Sequence, residues 1–156
     1  MPTEPTATTE KLGGSRVTQF SIFLANRVGA LLHVVKLLNE LHVHVLAINV
    51  QDSADTAIVR IVVSDPESVQ TLFLEHGVPF SVCELVVVEL KEGATELGRL
   101  LAALLAAECN IFGSYALLTR PRGRTALALH VEDNECAVSV LGSHQFTILG
   151  QSDISR

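Results

Sequence analysis

The sequence is poor in aromatic residues and has no long apolar run. Aromatic residues make up 4% of its 156 residues, and its formal net charge is −6. Nucleic acids are bound by basic grooves, often with aromatic stacking platforms, so this composition argues against a nucleic-acid partner. Because no apolar run approaches the ~18 residues that a membrane span needs, no membrane partner is expected either.

Cysteine is also scarce. Cys83, Cys109 and Cys136 are an odd number without metal-type spacing, and the absence of a CxxC pair excludes a copper-chaperone motif. Residues 1–16 are rich in Thr, Pro and Gly and lack an apolar segment, which predicts a disordered tail rather than a signal peptide. We therefore expect reduced thiols in a cytoplasmic protein.

Groups that would indicate catalysis are missing as well. No Ser/His/Asp or Cys/His arrangement can be placed, so we expect a protein that is not an enzyme and needs no cofactor. His42 and His44 could share a strand face, but no third ligand accompanies them and no metal site is predicted. His76 and His144 fall in the last turns of two predicted helices, where a cation suits the helix dipole, which indicates a structural role.

What the chain does contain is an internal duplication. Leu31 aligns with Leu97 at the start of a helical segment, and after a further shift of two residues His76 aligns with His144. Residues 78–90 have strand composition but are too long for one strand of a small domain. On this alignment Cys83 lies where the last strand of one copy meets the first strand of the next. We predict two domains, 17–83 and 84–156, fused strand to strand.

Each copy carries the same predicted order of elements. The first has strands at 17–24, 43–50, 56–63 and 78–83, a helix starting near Leu31, and a helix capped by Asp65. The second has strands at 84–90, 110–119, 125–131 and 145–151, a loop at 91–96, and helices at 97–108 and 134–144. This βαββαβ order predicts an α+β, ferredoxin-like fold with helices on one face of an antiparallel sheet.

Apolar side chains also fall on the predicted sheet face away from the helices. Ile58, Val62, Leu85 and Val87 lie there. Because a contiguous apolar face needs cover, we expect a second chain to pack on it and to form a homodimer.

The segment between the first strand and the first helix, residues 24–31, reads LANRVGAL. It resembles the loop of ACT domains, whose usual pattern is close to Asn-x-Pro-Gly-x-Leu, and the tandem order resembles small proteins made of two ACT units. The resemblance covers about residues 17–152, but Val28 replaces the usual Pro and Thr95 replaces the Gly in the second copy. It implies an allosteric regulatory module that binds an amino acid between paired domains, with a regulated enzyme partner that the sequence does not name.

The same loop is the candidate ligand site. Gly29 permits close backbone approach, and the free N–H groups at the start of the helix form an anion site for an α-carboxylate. Asn26 could orient an ammonium group or a polar side chain. Asn and Gly are also ordinary turn formers before a helix, which leaves a purely structural role open. The predicted ligand-binding residues are Asn26, Arg27, Val28, Gly29, Ala30 and Leu31.

The corresponding loop of the second copy is a poorer candidate. Thr95 is a plausible helix cap that would occupy the free N–H groups, and Glu92 and Glu96 would repel a carboxylate. We expect the second site to be degenerate. Two functions follow: a non-catalytic amino-acid-binding regulatory protein, or an interaction and scaffolding module whose pockets have lapsed and which works through its exposed sheet faces.

Overall fold

The computed structural model describes residues 16–25, 28–52 and 55–155, which form an antiparallel sheet of seven strands. The strands are β1 (Val17–Ala25), β2 (Val45–Asp52), β3 (Thr56–Val63), β4 (Phe80–Leu90), β5 (Ile111–Ala116), β6 (Thr125–Val131) and β7 (Thr147–Leu149). The helices are α1 (Val28–Glu40), α2 (Pro66–Glu75), α3 (Leu97–Ala106), α4 (Asn134–Ser143) and α5 (Gln151–Ile154). Short 3-10 helices span Gly93–Glu96 and Pro121–Gly123. No helix in the described ranges is long and apolar enough to cross a membrane.

Strand β4 belongs to both copies. It runs for 11 residues without a break, pairing with β1 over residues 80–85 and with β6 over residues 86–90. Strand β7 also pairs with it, over residues 87–89. The strand-to-strand fusion and the duplicated βαββαβ order are therefore confirmed. The main pairing partner changes between Leu85 and Val86, and the domain division at residue 83 stays a prediction.

Each copy has its own core between the sheet and two helices. In the first, the rings of Phe20, Phe73 and Phe80 pack with centroids 5.6 to 5.8 Å apart. In the second, Leu100 and Leu141 occupy the corresponding interior. The apolar positions that alternate along the strands and recur along the helices therefore face each other across the two layers, as predicted.

The second helix of each copy, α2 in the first and α4 in the second, has the same kind of contacts at its N-terminus and at its C-terminus. The Asp65 carboxylate accepts from the Ser68 N–H at 3.2 Å, and the Asp133 carboxylate accepts from the Cys136 N–H at 3.0 Å. At the other end, Nδ1 of His76 lies 3.0 Å from the carbonyl oxygen of residue 72, and Nδ1 of His144 lies 2.9 Å from that of residue 140. The predicted Asp65 cap is confirmed. Both histidines lie at the C-caps of their helices, and their structural role stays a prediction.

A third core lies on the sheet face away from the helices. The sheet curls, so that Val62 and Leu85 meet Val87, and all three are completely buried. The edges of the curl meet where the Leu118 N–H donates to the carbonyl of Leu46 at 2.6 Å. The expectation that a second chain covers these residues is wrong, because the two copies cover one another. Of the four residues predicted there, Ile58 is only half-buried.

Helix α5 closes this third core and replaces part of a predicted strand. We expected a strand over 145–151, but β7 ends at Leu149 and α5 begins at Gln151. The Gln151 side chain accepts from the Thr18 N–H at 3.2 Å and donates to the Val63 carbonyl at 3.0 Å. Ile154 is buried in the third core. These long-range contacts, which the local pattern does not encode, determine the end of the strand.

Shortening Val87 to Ala should lower the free energy of unfolding of the whole chain by about 2 kcal/mol, because it removes two buried methyl groups and leaves a cavity. Val82 on the same strand is 46% exposed, so Val82→Ala is the matched control and should cost far less. Urea unfolding followed by circular dichroism measures both. Equal costs, or two separate unfolding transitions in the parent protein, would contradict the third core.

Replacing Asp65 by Ala should cost about 1 kcal/mol through loss of the helix cap. Hydrogen bonds from Ser68, its hydroxyl first and then its N–H, hold the pKa of the Asp65 carboxyl below its ordinary value. The stabilisation from the charge is therefore present above the unfolded pKa and is lost as the pH falls through the lower folded value. Asp65→Asn keeps a hydrogen-bond acceptor. Its free energy of unfolding should therefore equal that of the parent protein at low pH and be lower than it near neutrality. If the free energies of unfolding of Asp65→Asn and the parent protein differ by the same amount at every acidic pH, this assignment is wrong.

Candidate functional site

The predicted binding loop leads into the first turn of α1. Asn26 and Arg27 lie outside the described residues. Residues 28–31 are helical, so the helix begins at Val28, earlier than the position just after Gly29 that the loop pattern indicated. Gly29 is exposed, its φ is not positive, and a Cβ there would meet no atom within 4 Å. Leu31 packs against the first core.

This first turn has the electrostatics that an anion needs. The first N–H groups of a helix have no intrahelical acceptor and carry partial positive charge. No acidic side chain occupies the first turn of α1. The N–H groups are therefore not neutralised by a carboxylate from their own turn.

The equivalent region of the second copy is arranged differently. A 3-10 helix, Gly93–Glu96, precedes α3, and the Glu96 carboxylate turns back to accept from the N–H of Glu92 and, at 2.7 Å, from the guanidinium of Arg99. The Glu92 N–H, with help from Arg99, holds the pKa of the Glu96 carboxyl below its usual value. An ionised carboxylate of the protein itself thus stands before α3, which favours a degenerate second site.

Thr95 does not cap the helix, and that expectation is wrong. Its hydroxyl donates to the carbonyl of Glu92 at 2.9 Å, inside the 3-10 helix. Glu96 is the residue at the cap position of α3, and its side chain makes no capping bond. The 3-10 turn moves the cap one residue further along the chain than the pattern Thr-x-Leu indicated.

A cavity, which we call the inter-copy cleft, opens between the two copies on the sheet faces away from the helices. Its volume is about 320 Å³. It lies beside the third core, because Gln19 pairs with Val62 in the β1–β3 ladder and Tyr115 packs against that core. Both copies contribute to its wall, which consists of Gln19, Asn49, Gln51, Arg60, Phe112, Gly113, Ser114, Tyr115 and His130.

Two hydrogen-bonded groups fix the polar side chains of the cleft. Gln19 is 1% exposed; its amide oxygen accepts from the Tyr115 hydroxyl at 2.6 Å, and its amide nitrogen lies 3.3 Å from Sγ of Cys83. Burial raises the pKa of Tyr115 and of Cys83, so both stay protonated near neutrality. Arg60 donates from Nη1 to Oε1 of Gln51 at 2.9 Å.

Sequence reasoning missed this cleft. Its residues come from five strands, β1, β2, β3, β5 and β6, and those outside β5 are polar residues at ordinary positions of an alternating pattern. The one available signal was the interruption of the apolar face of β3 by Arg60, between Ile58 and Val62. His42, the other chemically suggestive residue, lies in the turn after α1 with φ 59°. Within the described ranges, no three potential metal ligands cluster.

Solved structures with the same fold include two that cover most of the chain. A Bacteroides thetaiotaomicron protein superposes with a TM-score of 0.83, covering 91% of this chain and 97% of its own, at 22% sequence identity. The ligand-free regulatory subunit of aspartate kinase from Thermus thermophilus has a TM-score of 0.56, covering 83% of this chain and 92% of its own, at 12% identity. No curated protein sequence matches the chain.

The family assignment rests on the sequence itself. The profile of the family described as ACT domain pair matches residues 15–155, nearly the whole chain. The duplicated βαββαβ order and the shared strand β4 fit that description. The chain therefore belongs to the ACT domain pair family, as the resemblance of its loop predicted.

Proposed function

We propose that this protein is a non-catalytic regulatory module that binds an amino acid at the first turn of α1. The observation that carries the proposal is the asymmetry between the copies. The first turn of α1 has no carboxylate of its own, whereas an ionised Glu96 stands before α3. Family membership supports a regulatory role, and so does the shared fold with the regulatory subunit of a Thermus thermophilus aspartate kinase.

The proposed binding mode follows from the geometry of the helix start. The α-carboxylate of the ligand accepts from the N–H groups of Gly29 to Leu31, where the partial positive charge of the helix is greatest. We also assign Asn26, Arg27 and Val28 to the site from their place in the sequence, with Asn26 receiving the ammonium group or the side chain of the ligand. A regulated enzyme is the natural recipient of the signal. The three cysteines, all free, agree with a cytoplasmic location.

A second candidate function, protein interaction, is favoured by a separate surface. Leu97, Leu101 and Leu105 recur at every fourth position of α3 and are 39, 42 and 78% exposed. An apolar stripe at this spacing is typical of a helix that packs on another helix. We propose a homodimer through this stripe, in place of the sheet face that the other copy already covers.

Ligand binding is tested by thermal unfolding with each of the twenty amino acids. A ligand at 100 times its dissociation constant should add ~2.7 kcal/mol to the free energy of unfolding. Gly29→Val should abolish the response, because a branched side chain then stands at the helix start. It should not destabilise the free protein, since Gly29 lacks a positive φ and Val is the better helix former.

The matched control is Thr95→Val at the equivalent place in the second copy. It should keep the ligand response and lose only the hydrogen bond to Glu92, at a cost of about 1 kcal/mol. Loss of the response in this variant alone would move the site to the second copy. If none of the twenty amino acids stabilises the parent protein against thermal unfolding, the interaction function is favoured instead.

The dimer is tested by sedimentation equilibrium at micromolar concentration. The parent protein should have about twice the 16.8 kDa mass of the chain. Leu101→Glu should shift it to monomer, because a charge in the middle of the stripe cannot be buried without a partner. Leu74→Glu, at a 68% exposed site on α2, should remain a dimer. A monomeric parent protein would refute the proposal.

A further inference from the structure

We propose that the inter-copy cleft is a second binding site, for a small monocarboxylate that carries an apolar or aromatic group and no ammonium. It is independent of the site at the first turn of α1, since no residue of 28–31 is among the described residues that line it. Its volume of about 320 Å³ is at the lower end of the range of small-molecule sites.

The positive charge of Arg60 in the cleft indicates that the ligand is negatively charged. Arg60 is half-buried, and its partner Gln51 is neutral. Among the described residues, no carboxylate forms an ion pair with Arg60, and none lines the cleft. A guanidinium held in place by a neutral amide keeps most of its donors for an incoming acceptor, and its planar fork matches a carboxylate. The absence of an acidic group in this wall disfavours a ligand ammonium.

The aromatic and neutral polar side chains of the wall indicate which groups the ligand carries besides its carboxylate. Phe112 lies at the mouth, 64% exposed, with its ring edge-on to His130 at a centroid distance of 5.4 Å. An aromatic ring with a free face is suited to cover an apolar group. The amide of Asn49 and the hydroxyl of Ser114 offer hydrogen bonds to a hydroxyl or keto group beside the carboxylate. A 2-hydroxy or 2-oxo acid with a branched or aromatic side chain has these three features.

Phosphate and dicarboxylates fit the cleft less well. Arg60 is the one Lys or Arg side chain among the described residues that line it, and no helix begins in that lining. A second negative charge would therefore find no second Lys or Arg in the described lining as its partner. The planar, single charge of a monocarboxylate matches what Arg60 offers.

The test is isothermal titration calorimetry with phenyllactate, compared with phenylalanine, which has an ammonium in place of the hydroxyl. Phenyllactate should bind the parent protein saturably, and in Gly29→Val, where the amino-acid site is closed, it should bind more tightly than phenylalanine, succinate or inorganic phosphate. Arg60→Met, which keeps an apolar stem, should weaken binding by about tenfold to 100-fold. Arg120→Met removes the same charge from an exposed site outside the cleft and should leave binding unchanged.

A second variant keeps the proposal testable if Arg60→Met folds poorly. Gly113 lies in a strand without a positive φ, and a Cβ there would meet nothing within 4 Å. Gly113→Val should therefore fold normally, fill part of the cleft and weaken phenyllactate binding. Gly29→Val should leave phenyllactate binding intact, which separates this proposal from the amino-acid site.

Several results would overturn the proposal. One is the absence of saturable phenyllactate binding, and another is binding that survives both Arg60→Met and Gly113→Val. Phenylalanine binding in the cleft as tightly as phenyllactate would reject the ligand class. Succinate or inorganic phosphate binding as tightly as phenyllactate would reject the single-charge argument.

Discussion

The hydrogen bonding of β4 is the constraint on which the rest of the structure depends. Its first half completes the sheet of the first copy through β1, and its second half lies between β6 and β7 in the sheet of the second. Neither sheet can form in full without fixing the strand that the other uses. Because the curl then places Val62 and Leu85 against Val87, the outer faces of both sheets become one interior. Units of this size bury a small share of their surface and are only marginally stable alone, and the shared interior adds buried apolar surface to both.

The duplication has preserved what the fold needs and has diverged where a ligand would bind. Asp65 and Asp133 begin their helices in the same way, because unsatisfied N–H groups at a helix start destabilise either copy equally. The starts of the first helices differ: Gly29 lies in an open first turn, while Glu96 supplies its own carboxylate before α3. Under the function proposed above, the single open start at α1 is enough for a regulatory protein to bind its ligand.

The periodic parts of the fold were predictable from the sequence, because they depend on neighbouring residues. Alternation along β3 and the Asp65-Pro66 start of α2 each follow from local sterics and hydrogen bonding. The occupant of the outer face was not predictable, since an apolar position such as Val62 indicates burial but not the partner that provides it. The fusion at β4 could be inferred because the duplication itself placed the end of one copy at the start of the next.

The sequence locates the candidate site, which stays a prediction, only to the level of its loop. The open first turn of α1 follows from Gly29 and the lack of acidic residues there. Thr95 was misassigned as a cap because residues 93–96 form a 3-10 helix, in which the Thr95 hydroxyl donates to the carbonyl of Glu92 and Glu96 takes the cap position of α3. Arg60 and Tyr115 are brought together only by the curl of the sheet, so no local pattern marks the cleft they line.

Native-state hydrogen exchange along β4 tests the central claim, that one strand makes two copies into a single cooperative unit. Amide exchange is followed by NMR at increasing sub-denaturing urea, and the opening free energy is compared between residues 80–85 and residues 86–90. If β4 holds both sheets together, the protected amides of the two halves exchange with one free energy, equal to that of global unfolding. If residues 80–85 open at a clearly lower free energy than residues 86–90, the first copy unfolds by itself and β4 does not couple the two copies.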